Sequence, residues 1–428
     1  MIIAVIVFIA ALIVGMPIAF VLGLFGTTHI LAMGNEAFLN VLVTRMFSGV
    51  NIISISCIPF FIMAGELMNG GGVTARLLNF LRESIGRFRG GLGYCTVAIS
   101  AILAAILGSA QAVCALLCRV LVGELEKDNY PPAFSGALIS AASVLGPIIP
   151  PSTMFIFYCM LTDVSIKYMF IAGIVPGIIL ALAYCVVIFL EVRHMDLKRP
   201  EGHFSLRRFG IAFLKAVPAL LVPVIIMGGI LSGIFTPTES GAVACVVAFV
   251  AGLVYREMKL SKLPQMMLNT AISTAAIFLI IAFGNIIAWS MAMDGIPDMI
   301  INFITSITTN RYIIIAMIIV LLTLVGCVLD MASATLIFLP VLFPLIQMIG
   351  MDPVHFGIVF SLMITIGMIT PPVGQCLFIT TNITKTPFMD ICKRIGLFVI
   401  VAIGTTTALA YLPDVVLIIP QLMGYTGT

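Results

Sequence analysis

Charge is scarce in this chain. Only 9% of its 428 residues are Asp, Glu, Lys or Arg, against about 25% in a soluble domain. So few charges cannot hydrate a folded surface, which excludes a water-soluble globule and leaves most of the exterior to lipid and other helices. Metal and redox patterns are missing too. The 4 histidines, His29, His194, His203 and His355, are scattered with no HExxH, and the 10 cysteines make no CxxC. Nearly all the cysteines lie in apolar runs, where a free thiol packs as a small hydrophobe, so neither haem, zinc nor a disulfide framework is expected. GxxxxGK[ST] is absent, and with it any sign of ATP use. A secretory signal would open on positive charge. Here the first charge is Glu36, after a long apolar stretch that reads as a retained first helix interrupted near Gly15-Met16-Pro17.

What the chain does have is hydrophobicity: 61% apolar residues and a mean hydropathy of +1.24. At about 20 residues per crossing there is room for roughly ten to twelve crossings, an all-α polytopic membrane protein. The net charge of +3 sits in a few short loops, which is a topology signal and not a nucleic-acid footprint. The segment 193–215 is the most hydrophilic and carries Arg193, Lys198, Arg199, Arg207, Arg208 and Lys215, placing it in the cytoplasm. Arg256, Lys259 and Lys262 form a second basic loop. Between them, two apolar stretches near 217–235 and 238–255 flank Thr236-Pro237-Thr238-Glu239 and return the chain to the same side. Over 72–89, Leu77, Leu78, Leu81, Ile85 and Phe88 recur at helical spacing with arginines between them. This is either an amphipathic helix in the interface or a solvated connection.

Internal repetition shapes the reading further. Gly146-Pro147-Ile148-Ile149-Pro150-Pro151 is echoed by Gly367-Met368-Ile369-Thr370-Pro371-Pro372 at an offset of 221. Leu78-Asn79-Phe80 is echoed by Ile301-Asn302-Phe303, and Gly108 by Gly326. The ordered matches point to a duplicated unit, as in transporters built from two inverted halves; chance in Gly-rich membrane sequence is the alternative. Residues 90–124 form two apolar arms around Gly108-Ser109-Ala110. Each is short for a crossing, so a re-entrant helical hairpin fits, with two short spans as the other possibility. Segment 131–170 can cross, but Gly146, Pro147, Pro150 and Pro151 stand at its middle. Several prolines there remove donors and unwind the helix. Bare carbonyls survive in hydrocarbon only where they line a cavity or bind something, and a cation is a natural partner. Residues 312–350 and 353–384 repeat the hairpin and the broken helix. Asp330, in an apolar helix context, is a functional candidate by default: it binds cation or substrate, or it caps or pairs. Glu66 and Glu239 carry weaker cases, the latter as a helix cap.

These residues resemble the large membrane subunit of a TRAP transporter (tripartite ATP-independent periplasmic), a family with dicarboxylate and sialic-acid systems. The stretches that carry it are PFFIMAGELMNGGGVTARL (59–77), ILGSAQA (106–112), GPIIPPST (146–153), IAGIVPGI (171–178), GGILSGIFTPTESGAVA (228–244) and IGMITPPVGQCLF (366–378). Leu107 stands where a Ser-like residue is common, and TPTES replaces TPTEA. The resemblance implies an elevator-type transporter in the bacterial inner membrane, driven by sodium and not ATP. It implies two sodium sites. The first falls on Leu107, Ser109, Gly146, Ile149 and Pro151, and the second on Gly326, Gly367, Thr370 and Val373, mostly through carbonyls. Substrates would be small carboxylates, with Ser109, Ser152, Thr153, Asp330 and Thr370 as candidate contacts. Expected partners are a small four-helix membrane subunit and a periplasmic substrate-binding protein, both on separate chains. The implied division is 1–89 first scaffold helices and arm, 90–192 first transport repeat, 193–311 basic loop and second scaffold with its arm, 312–384 second transport repeat, and 385–428 C-terminal helix. The alternative is a stand-alone ion-coupled anion carrier of the divalent-anion or citrate type. An intramembrane enzyme would need a carboxylate or Ser–base dyad that is not evident.

Overall fold

The computed structural model describes residues 2–32, 34, 37–198 and 205–427. Glu36, Arg199 and His203 lie outside the described residues. Among these, every regular element is helical: α1 (Ile2–Ile13), α2 (Ile18–Ala32), α3 (Ala37–Val50), α4 (Cys57–Gly70), α5 (Val73–Ile85), α6 (Gly91–Leu107), α7 (Ala110–Lys127), α8 (Pro132–Ser143), α9 (Thr153–Thr162) and α10 (Ile166–Val192), then α11 (Leu206–Leu231), α12 (Pro237–Val254), α13 (Leu263–Met293), α14 (Ile296–Ile307), α15 (Arg311–Val328), α16 (Met331–Met348), α17 (Pro353–Gly367), α18 (Gln375–Thr384), α19 (Phe388–Tyr411) and α20 (Pro413–Leu422). Among the described residues, seven stretches are long and apolar enough to cross a membrane.

The prolines act where the physics requires. α8 stops before Gly146 and α9 starts after Pro151; α17 stops at Gly367 and α18 starts after Pro372. The Pro-Pro bond within each break, Pro150-Pro151 and Pro371-Pro372, is cis. The two apolar stretches after the basic loop are α11 and α12. α12 opens with a capping box, in which Glu239 accepts from the Thr236 backbone N–H at 2.8 Å and its own N–H donates to the Thr236 hydroxyl at 3.3 Å. α5 is the amphipathic piece, shorter than 72–89: Leu77, Leu78 and Leu81 are buried, while Phe88 lies beyond its end and is exposed.

Two expectations change. The break at Gly15-Met16-Pro17 does not interrupt one span. Phe8 meets Phe25 with ring centroids 5.8 Å apart, so the chain reverses and α1 packs antiparallel on α2. Seventeen residues along a continuous helix would separate them by about 25 Å. Gly326 is not the counterpart of Gly108. It lies inside α15, whereas Gly108 follows α6 and makes the turn itself with φ 58°.

The contacts fall into two groups. The outer helices α1–α5 and α11–α13 pack mainly on one another, α6–α10 with α15–α19 form a hairpin body, and α14 leads from α13 onto α16. Pairings recur under exchange of the halves: α4 packs on α12 as α13 does on α2, and α7 packs on α18 as α16 does on α9. Each second half-helix therefore rests against the other repeat's hairpin. A buried seam of small polar groups fixes α18 there. Thr380 meets the Ser140 hydroxyl at 2.8 Å and the Cys114 thiol at 3.2 Å. α17 is mostly apolar, and its whole length is buried, His355, Ser361 and Thr365 included.

Parity fixes the relative direction of the halves. Between the two interrupted spans the chain crosses through α10, α11, α12 and α13, and α15–α16 adds an even number of passes. α14, at about 18 Å, is too short to cross. The second interrupted span thus runs opposite to the first, so the repeats are inverted. The basic residues agree: Lys127, Arg193, Lys198, Arg207, Arg208, Lys215, Arg256 to Lys262, Lys385 and Arg394 all reach one face, the cytoplasmic one. Arg394 lies 3.6 Å from Glu191, joining two of these ends.

Candidate functional site

In the first unit, Gly108 turns the chain and Ser109, in extended conformation, begins α7. The Thr153 hydroxyl donates to the Gly108 carbonyl at 2.8 Å, which ties the tip to the start of α9. A Cβ on Gly146 would sit 2.9 Å from the Ser109 oxygen, so only glycine lets the break approach the tip this closely. Ser152 caps α9. It is fully buried, accepts from the Phe155 N–H at 3.2 Å and donates to the Pro147 carbonyl at 2.5 Å. Among the described residues, the carbonyls of Leu107, Gly146, Ile149 and Pro151 accept no hydrogen bond, while that of Ser109 takes the Val113 N–H at 3.1 Å.

The second unit is built differently. Gly326 and Gly367 press backbone to backbone, and a Cβ on either would overlap the facing chain. The Gly374 N–H donates to the Cys327 carbonyl at 3.4 Å, and the Thr370 hydroxyl donates to the Ile366 carbonyl at 2.8 Å, which leaves its lone pairs available. Carbonyls of Gly326, Thr370 and Val373 accept no hydrogen bond among the described residues; Gly367's takes the Thr370 N–H. Asp330 is not inside a helix. It is the N-cap of α16, accepting from Ala332 N at 3.0 Å, Ser333 N at 3.3 Å and the Ser333 hydroxyl.

A cavity of about 260 Å³ opens between the tips and the outer helices. Leu107, Ser109 and Thr153 line it from the first unit and Asp330 from the second. Ser152 and Thr370 do not line it. The N-termini of α7, α9 and α16 converge on it, and their positive ends favour an anion. Four polar side chains were invisible to sequence reasoning as a group. Glu66 of α4 lines the cavity and accepts from Asn269 of α13 at 3.4 Å. Gln111 also lines it and donates to Gln375 at 2.8 Å, bridging the two units across 264 positions of sequence, while the Ser109 hydroxyl donates to Gln111 at 3.3 Å. The unbonded carbonyl oxygens around both breaks are neutral, a set suited to a hard alkali cation.

Comparison with known proteins places this architecture. The chain is 34% identical over 94% of its length, and 94% of the relative's, to the C4-dicarboxylate TRAP transporter large permease protein DctM of Pseudomonas aeruginosa. It is 32% identical to the 2,3-diketo-L-gulonate TRAP transporter large permease protein YiaN of Escherichia coli, over 95% of each chain, and 30% identical to the sialic acid TRAP transporter large permease protein SiaM of Vibrio cholerae, over 96% of each. Among solved structures, the Alcanivorax borkumensis YdaH transporter superposes with a TM-score of 0.62 over 88% of each chain at 14% identity, a likeness of fold alone. Residues 5–415 match the family described as "Tripartite ATP-independent periplasmic transporter, DctM component". The chain therefore belongs to the DctM family of TRAP transporter large permeases: a multi-pass inner-membrane transporter subunit and not an enzyme.

Proposed function

We propose that this permease takes up a small organic anion of the carboxylate class, driven by sodium, with an elevator motion of the hairpin body against the outer helices. A periplasmic binding protein delivers the substrate, and a small four-helix membrane subunit completes the transporter. The observation that carries the sodium reading is the set of unbonded carbonyls where each hairpin meets its interrupted span. Such groups in a membrane interior cost several kcal/mol each when left bare, and a sodium ion at Leu107, Gly146, Ile149 and Pro151, or at Gly326, Thr370 and Val373, satisfies them. Bound cations draw each tip onto its break. They also supply positive charge to a cavity that Glu66 and Asp330 otherwise make unfavourable for a carboxylate, so ion and substrate favour each other's binding. Each net charge carried inward gains about 2.3 kcal/mol per 100 mV. The elevator reading is supported by the cavity's position on the seam between the two packing groups. The carboxylate class is supported by the relatives' names.

The test is uptake into proteoliposomes that hold this chain and its small subunit. Labelled succinate, sialic acid or 2,3-diketo-L-gulonate is presented with and without the cognate binding protein. Uptake requires the binding protein and an inward sodium gradient. Equal uptake in potassium would remove the sodium sites, and full uptake without the binding protein would instead identify a stand-alone carrier.

A further inference from the structure

We propose that the cytoplasmic cleft between α5 and α11 binds the anionic phosphate of a membrane lipid headgroup. The cleft, of about 260 Å³, is lined on one side by Arg76, Asn79 and Arg82 and on the other by Arg208, Ile211 and Lys215. Each set recurs at three- or four-residue spacing and so shares one helix face. Glu83 is the acid in the cleft, and its carboxylate is taken by Arg87 at 3.0 Å. Two of the arginines are held in place from behind. Arg76 lies 2.7 Å from Glu257 and over the Tyr255 ring at 3.9 Å. Arg82 lies 2.6 Å from Glu124 and 3.4 Å from Asp128. Arg208 and Lys215 are exposed on the opposite wall. Both terminal nitrogens of Arg76 and Arg82 already donate, to Gly72, Glu257, Glu124 and Asp128, so a phosphate takes their remaining N–H groups together with those of the opposite wall.

The surroundings select a lipid over a soluble phosphate. α5 runs beside the first turns of α11 at the cytoplasmic face, and α11 continues as an apolar span. Phe80 packs against Phe209 and Phe213, each at 5.6 Å, beneath the basic rim. Ile211 (45% exposed), Phe213 (42%) and Leu214 (70%) continue outward beside it. A headgroup in the cleft thus places its acyl chains along an apolar strip, and the leaflet it faces is the anionic one.

Native mass spectrometry of the detergent-purified protein tests this, with phosphatidylglycerol titrated against phosphatidylcholine. Phosphatidylglycerol binds in preference, and Arg208→Gln with Lys215→Gln weakens it by about tenfold or more, with phosphatidylcholine unchanged. Ile211→Trp keeps every charge, fills the cleft and weakens it similarly. Lys259→Gln with Lys262→Gln removes the same charge outside the cleft and leaves affinity unaltered. Undiminished phosphatidylglycerol binding in the cleft variants overturns the proposal. So does an equal loss in the control pair, which indicates bulk electrostatics, or displacement of the lipid by millimolar inorganic phosphate, which indicates a soluble-anion site.

Discussion

The two hairpins reach their interrupted spans by different chemistry. The first turns on a left-handed glycine, and the hydroxyl of the serine that opens its second arm caps no backbone N–H. The second turns through extended backbone, and an aspartate holds its helix end with three bonds. The close approaches differ as well. A Cβ on Gly326 or Gly367 would overlap facing backbone, while one on Gly146 would meet the Ser109 and Ser143 carbonyl oxygens at 2.9 and 3.0 Å. Duplication has kept the geometry and let the local stabilisation drift. The second tip is the tightly fixed one. The first is held by Thr153 and by side chains that also line the cavity, so it is the tip with more freedom to answer a ligand.

This asymmetry can be broken at several depths. Gly367→Ala forces a Cβ into the facing backbone and costs about 3 kcal/mol, against about 1 kcal/mol for Gly146→Ala; thermal unfolding in detergent measures both, and equal losses would contradict the contrast. Asp330→Ala unfastens α16 and costs about 1–2 kcal/mol, whereas Ser109→Ala changes stability by less than about 0.5 kcal/mol. Asp330→Asn keeps the cap and restores stability, so any uptake defect it retains belongs to the cavity. Thr370→Val raises the sodium concentration for half-maximal uptake about tenfold, or ~1.4 kcal/mol. Ser109→Ala shifts it little, since the proposed first site uses carbonyls. The smallest effect is the coupling between Gln111 and Gln375. A double-mutant cycle with leucine yields about 1 kcal/mol, and the sodium dependence of uptake becomes less steep. A cycle summing to zero would make the bridge incidental.

What could be read from the sequence was whatever local chemistry forces. Pro147, Pro150 and Pro151 forbid a continuous helix wherever they stand, so the breaks and their echo were legible. So was the amphipathic helix α5, from the leucine spacing of 77, 78 and 81. Turns whose outcome depends on packing were not. Pro17 interrupts a helix in either reading, and only the Phe8–Phe25 contact shows that the chain doubles back. The pairing of Gly108 with Gly326 failed by three residues because both are small and apolar-flanked, and register at a tip is set by the span it meets. Gln111 with Gln375, and Glu66 with Asn269, leave no local trace at all. They meet across 264 and 203 positions.

Because α9 rests on α16, and α18 on α7, neither repeat can complete its core alone. The repeats are 221 positions apart. At about 5–20 residues per second, the ribosome needs roughly 10–40 s to deliver the second after the first. During that interval the nascent chain holds an unfinished bundle in the bilayer, with the α9 surface meant for α16 turned to lipid. Insertion machinery that shelters early helices until late ones arrive would matter more for this protein than for one whose halves mature in sequence.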